Sequence, residues 1–191
     1  MCKMLVFTGV VLGMLVLGAA QTTANPVPWA PVRLYADAAG STYWIHDPEG
    51  TVSIYVFLNA GFSTGATELF FAAPKPSCFN AVYVGETHDF TTSGDSQTGM
   101  YVFLGGECLS GPRRLAVITY EILGATPECC YYWVQPYVTP GSDVIGYFDC
   151  SGSLSYGGRA YLLINPSESV CFEVVPAETS TWGKVKSLYA Q

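Results

Sequence analysis

The sequence is poor in charge: charged residues make up 12% of it, with 8 basic side chains against 15 acidic ones. A net charge of −7 leaves no positive surface of the kind that nucleic acid or an anionic membrane demands. Histidine is scarce, with only His46 and His88, and both stand away from the cysteines. No Cys-x-x-Cys pair occurs, so the ligand spacing of a zinc site is missing. Helical periodicity is almost absent. Past residue 20, no apolar run approaches the roughly 20 residues needed to cross a bilayer. Nothing in the pattern matches a cofactor-binding loop, and none is expected.

What the sequence does contain begins with an address. Met1-Cys2-Lys3 is a short positive start, Met4–Leu17 an apolar run, and Gly18-Ala19-Ala20 the small residues of a signal-peptidase site. The run is broken by Thr8, Gly9 and Gly13 and ends in polar Gln21-Thr22-Thr23, which suits a cleaved signal better than an anchor. Residues 1–20 are therefore read as a signal peptide. Removing those twenty residues from 191 leaves 171, enough for one domain with a real core. The product is expected to be secreted, periplasmic or at the cell surface.

Of 7 cysteines, Cys2 leaves with the signal. Cys78, Cys108, Cys129, Cys130, Cys150 and Cys171 remain, an even set that reads as three disulfides in an exported chain. Neighbouring strand residues point to opposite faces, so Cys129 and Cys130 should bridge to different partners rather than to each other. Cys78 and Cys108 each border a turn signal, Pro76-Ser77 and Gly111-Pro112, and are expected to pair. That leaves Cys150 and Cys171 for the vicinal pair.

Period-two alternation runs through the mature chain. In Thr51–Asn59, Val52, Ile54, Val56 and Leu58 share one face; in Arg114–Ile122, Ala116, Ile118, Tyr120 and Ile122 do. Further strands are expected at Val32–Ala36, Thr42–Ile45, Thr67–Ala72, Asn80–Val84, Met100–Leu104, Cys130–Val134, Val144–Phe148, Arg159–Ile164 and Val170–Val175, all rich in β-branched and aromatic residues. Asp47-Pro48-Glu49-Gly50 carries a type I turn signature and is read as closing a hairpin. Pro140-Gly141, Ser151-Gly152-Ser153 and Asn165-Pro166-Ser167 are further breaks. Short strands with turns about every ten residues describe an all-β antiparallel sandwich, immunoglobulin-like in architecture, spanning 21–176. In the tail, 177–191, Trp182, Val185, Leu188 and Tyr189 fall on one helical face behind Ser180 or Thr181 as N-cap, so a short C-terminal helix is expected.

Leu34-Tyr35-Ala36-Asp37, the vicinal Cys129-Cys130-Tyr131, Asp149-Cys150 and the closing Thr181–Tyr189 together resemble a recurring set of exported bacterial β-sandwich proteins. The resemblance spans nearly the whole mature chain. It implies an address and a fold, and no activity.

Four patterns point toward chemistry. Gly61-Phe62-Ser63-Thr64-Gly65 fits G-x-S-x-G, but that elbow needs a strand-to-helix turn over a parallel sheet, and a strand follows here instead. Gly94-Asp95-Ser96-Gln97-Thr98-Gly99 approaches the serine motif of chymotrypsin-like proteases and departs from it at Gln97 and Thr98. Neither histidine has an evident orienting acid in sequence; His46 only adjoins Asp47. Glu68, Glu121 and Glu173 lie in strands, where two acids across a cleft would make a glycosidase. Asp37, Asp47 and Glu49 lie in early loops that calcium could use, without a recognised ligand spacing. The ordinary reading of each is a turn or a solvated sheet face, so no catalytic or metal residue is assigned.

The densest aromatic group is Tyr131, Tyr132, Trp133 and Tyr137. Alternation puts Tyr131 with Trp133 and Tyr132 with Val134; cross-strand packing is the ordinary reading, and a row facing solvent would offer a platform to a protein or carbohydrate ligand. These four are the candidate binding residues. The function expected is that of an exported binding or structural module, with an extracellular glycosidase-like hydrolase as the alternative.

Overall fold

The computed structural model describes residues 30–47, 49–59, 65–137, 144–167 and 171. The expected signal peptide, the tail 177–191, residues 61–64 of the G-x-S-x-G stretch, Pro140-Gly141 and all of the Val170–Val175 strand but Cys171 lie outside them. Among the described residues every regular element is a strand, and no helix there is long and apolar enough to cross a membrane.

Among the described residues twelve strands form three sheets. The first holds β1 (Val32–Tyr35), β3 (Thr51–Leu58), β8 (Arg113–Ile122) and β5 (Ala81–His88) in that order. The second runs β11 (Leu154–Gly157), β10 (Ile145–Phe148), β4 (Glu68–Phe71), β7 (Gly99–Phe103) and β6 (Thr91–Asp95). The third is small: β2 (Trp44–Ile45), β12 (Tyr161–Ile164) and β9 (Cys130–Trp133). All pairings are antiparallel except β2 with β12. The small sheet is tied to the five-stranded one where Ala72 and Gln135 exchange both backbone hydrogen bonds, at 2.8 and 2.7 Å.

The alternating residues build one core between these layers, a β-sandwich. Val52, Ile54, Val56 and Leu58 of β3 meet Ala116, Ile118 and Tyr120 of β8, while Leu69, Phe71, Met100 and Val102 enter from the five-stranded sheet. Tyr132, Leu162 and Ile164 enter from the small one. Phe57 is buried against the alternation, because the Tyr35 ring crosses it edge-on at 5.4 Å beyond the bulge at Val56/Phe57.

The Asp47–Gly50 stretch does not close a hairpin. It carries the chain from β2 in the small sheet to β3 in the four-stranded one. Asp47 is held elsewhere: its Oδ2 accepts from the Thr126 amide and from Asn165 Nδ2, and its own amide donates to Asn165 Oδ1.

Three disulfides join Cys78–Cys130, Cys108–Cys150 and Cys129–Cys171. The vicinal cysteines do take different partners, helped by Cys129 adopting φ 61° in the turn before β9. The Cys78–Cys108 pairing expected from their turns is not the one formed. In the β4–β7 ladder Phe71 lies opposite Met100 and Glu68 opposite Phe103, so Cys78, after β4, and Cys108, after β7, leave opposite ends of the sheet. β10 ends beside Glu68, which brings Cys150 to Cys108. Loops of 52, 42 and 42 residues are closed, each restricting the unfolded chain by about 4 kcal/mol in the chain-entropy treatment.

Candidate binding surface

The candidate site starts from register on the small sheet. β9 sets Trp133 opposite Tyr161 and Tyr131 opposite Leu163, and Leu163 in turn lies opposite Trp44. Alternation then puts Tyr131, Trp133, Tyr161, Leu163 and Trp44 on the outer face. Their inward neighbours Cys130, Tyr132, Leu162 and Ile164 are buried. The rings pack on one another: Tyr131 lies nearly parallel to Trp133 at 6.1 Å, and Tyr161 meets them edge-on at 5.1 and 4.8 Å. The Arg159 guanidinium sits 5.3 Å from the Trp133 ring centre, a cation–π contact. Leu163 is 3% exposed beneath this layer, whereas Trp44 is 43% exposed beside His46.

The layer is held firmly. Tyr131 donates its hydroxyl to the Cys171 carbonyl at 2.6 Å, and Cys171 is bridged to Cys129 immediately before β9. Cys130 is bridged the other way, to Cys78. Two staples thus fix the start of the strand that carries Tyr131 and Trp133. Burial raises the Tyr161 hydroxyl above its usual range, so it stays protonated at neutral pH.

Of the four aromatics expected to bind, two are on this face. Tyr132 is not: it is fully buried, because its alternation partner faces the core and its hydroxyl is spent there. Tyr132 donates to the Ala73 carbonyl at 2.6 Å and meets the Tyr120 hydroxyl at 2.7 Å. Tyr137 lies on the outer side of the five-stranded sheet, its ring against Gly99, where any Cβ would overlap it and only glycine, lacking a side chain, leaves room. Sequence alone does not show Trp44, Tyr161 and Arg159, since only strand register puts Tyr161 beside Tyr131 and Trp133 and Trp44 on the same face one strand further, and only the fold brings Arg159 to the Trp133 ring.

The other patterns resolve into structure. Ser96 is fully buried, its amide on the Glu86 carboxylate and its hydroxyl accepting from Gln97 Nε2 at 2.9 Å. Gln97, a departure from the protease pattern, turns into the core. Its Nε2 donates to Tyr120 at 3.0 Å and its Oε1 accepts from the Lys75 amide. His88 does have an acid partner, Glu86 at 3.1 Å, contrary to the sequence expectation. Glu68 and Glu121 stand on the outer faces of the two opposing sheets, beside inward Leu69 and Tyr120, and so do not flank one cleft. Glu173 lies outside the described residues. Asp37 spends its carboxylate on the amides of Ala39, Ser41 and Thr42. Among the described residues no three His, Cys, Asp or Glu side chains come together as a metal would need.

The fold and this surface together define a disulfide-bonded β-sandwich with an aromatic face. No protein-family model matches the chain, and no curated protein matches it in sequence. Among solved structures it is similar to the seventh ScaB type I cohesin from Pseudobacteroides cellulosolvens, at 12% identity and a TM-score of 0.43 over 73% of this chain and 92% of that one. It is similar to a cohesin module from a Clostridium perfringens family 33 glycoside hydrolase, at 5% identity and a TM-score of 0.43 over 73% and 98%. BcpA, the major pilin subunit of Bacillus cereus, aligns at 7% identity and a TM-score of 0.39 over 71% of this chain and 40% of that one.

Proposed function

We propose that the chain is an exported binding module that acts through contacts, and that the outer face of the small sheet holds a carbohydrate. Three disulfides suit an oxidising compartment outside the cytoplasm. The observation that carries the ligand class is the layer of Trp44, Tyr131, Trp133 and Tyr161, aromatic faces bordered by polar groups at His46 and Arg159. A saccharide has the matching chemistry, with apolar C–H faces to lie on rings and hydroxyls to meet the polar rim. Rings already fixed by neighbours and disulfides lose little freedom on binding, which favours affinity.

A glycan array probed with the oxidised full chain tests this. Binding to a defined set of saccharides is expected, reduced about tenfold or more by Trp133→Ala or Trp44→Ala, about 1.4 kcal/mol, with Glu68→Gln and Glu121→Gln unchanged. An array without signal, or signal indifferent to both aromatic changes, contradicts it. Turnover of a bound glycan that disappears with either glutamate would favour the hydrolase reading.

A further inference from the structure

The three bridges differ in what surrounds their sulfurs. Cys130 is 2% exposed and belongs to the core, and Cys171 is 8% exposed. Their partners Cys78 and Cys129 are half-buried. Cys108 and Cys150, by contrast, are both exposed. Cys108 lies in the loop between β7 and β8, and Cys150 in the turn between β10 and β11. On one side their sulfurs rest on the backbone of Gly65, where a Cβ would fall 2.5 Å from Cys150 Sγ and 2.9 Å from Cys108 Sγ.

A disulfide opens when a thiolate attacks one sulfur and the other leaves as a thiolate. Access to the first and solvation of the second therefore both set the rate. In Cys78–Cys130 and Cys129–Cys171, attack at the half-buried cysteine drives its partner off as a thiolate inside the protein, where an unpaired charge is costly. Attack at the buried cysteine is blocked by packing. In Cys108–Cys150 either sulfur can be the target, and either can leave into water. Opening this bridge need not unlace the sheet. Ala66 and Leu109 exchange both backbone hydrogen bonds, at 2.9 and 3.0 Å, and the Thr67 amide donates to the Phe148 carbonyl at 2.9 Å. Both cysteine loops are thus tied to one segment, Ala66-Thr67, without help from the sulfurs.

We propose that Cys108–Cys150 is an exchangeable bridge, a modification site that a small external thiol opens in the folded protein while the other two bridges stay shut. A thiolate R–S⁻ attacks one of the two sulfurs and forms a mixed disulfide with it. The Sγ–Sγ bond breaks, its electron pair goes to the other cysteine, and that thiolate takes a proton from water. A second R–S⁻ attacks the R sulfur of the mixed disulfide, giving R–S–S–R and releasing the second cysteine, which is protonated in the same way. Two thiols are oxidised and one bridge is reduced to two cysteine thiols; R–S–S–R as oxidant reverses the sequence. Opening frees a loop of 42 residues in the unfolded chain, so the opened form is the less stable one. The start of β9, with Tyr131 and Trp133 beyond it, keeps both of its staples.

The test incubates the oxidised full chain with β-mercaptoethanol at neutral pH without denaturant, traps samples with iodoacetamide and maps the labelled peptides. Cys108 and Cys150 are expected to be labelled about tenfold or more faster than the other four bridged cysteines. The opened form should keep its near-ultraviolet circular dichroism and melt at a lower temperature. Adding the disulfide of β-mercaptoethanol should restore the starting mass and melting temperature. Cys108→Ser together with Cys150→Ser should remove the fast labelling and leave the slow labelling; the wild-type time course decides by itself should that variant not fold. Labelling of all six cysteines at one rate overturns the proposal, as does earlier opening of either other bridge. Loss of the near-ultraviolet signal on opening also overturns it, because the bridge would then be structural. None of this depends on a glycan, so failure here leaves the carbohydrate reading untouched.

Discussion

Tyr132 carries its hydroxyl into the core, while Tyr131, one position earlier, keeps its ring on the outer layer and ties its hydroxyl to Cys171. The inner hydroxyls form an ordered relay in which Gln97 donates to Tyr120, Tyr120 to Tyr132, and Tyr132 to the Ala73 carbonyl. Burial raises both tyrosines above their usual range and keeps them protonated, as the relay requires. Tyr132→Phe removes the donor to a buried carbonyl and is expected to cost about 1–3 kcal/mol in urea unfolding, with an unchanged m-value. A loss well under that range would mean that the relay contributes little. Alternation made it legible that Tyr131 with Trp133 and Tyr132 with Val134 occupy opposite faces. It did not tell which row is outward, because both rows are apolar or aromatic and only pairing with β12 decides it.

Turns between strands depend on three aspartates. Asp95 accepts from the amides of Gln97 and Thr98 and from the Thr98 hydroxyl, closing the β6–β7 hairpin. Asp149 does the same for β10–β11 through Ser151 and Ser153. The Thr98 amide chiefly lowers the Asp95 carboxyl, and the Ser151 hydroxyl chiefly lowers Asp149. For Asp37, burial pushes upward but is outweighed by Thr42 and Ser41. A carboxyl lowered by folding stabilises the folded state above its unfolded value, here 3.8, and that contribution fades as pH drops through the folded value. The melting temperature should thus show no decline from these groups between pH 7 and 5 and fall below about pH 4. Asp95→Asn should lower it at pH 7 and flatten the acid limb. An acid limb identical in the variant would contradict the assignment. The same elements show where sequence reading stops. β6 (Thr-Thr-Ser-Gly-Asp) and β11 (Leu-Ser-Tyr-Gly) escaped it because edge strands need not alternate apolar with polar. Asp47–Gly50 has hairpin chemistry, yet the strands on either side belong to different sheets, and no local signal carries that information.

At the scale of the molecule, composition and alternation were enough for an all-β, three-disulfide domain, since burial of period-two faces and the six cysteines past residue 20 are properties of the chain as a whole. Which cysteines meet was only half legible: the divergence of Cys129 and Cys130 follows from local geometry, whereas Cys78–Cys130 and Cys108–Cys150 follow from which ends of the sheet the loops leave. The resulting molecule carries a braced aromatic layer on the outer face of the small sheet. The central claim concerns that layer. The full chain has four tryptophans, Trp29, Trp44, Trp133 and Trp182, and each is expected to give one indole N–H resonance. Titrating the ¹⁵N-labelled, oxidised chain with the best saccharide from the array measures the site directly. The account predicts saturable shifts of the Trp44 and Trp133 indole signals and of the Tyr161 amide, with Leu154–Gly157 unmoved. Shifts confined to other residues, or none at saturating ligand, would contradict it.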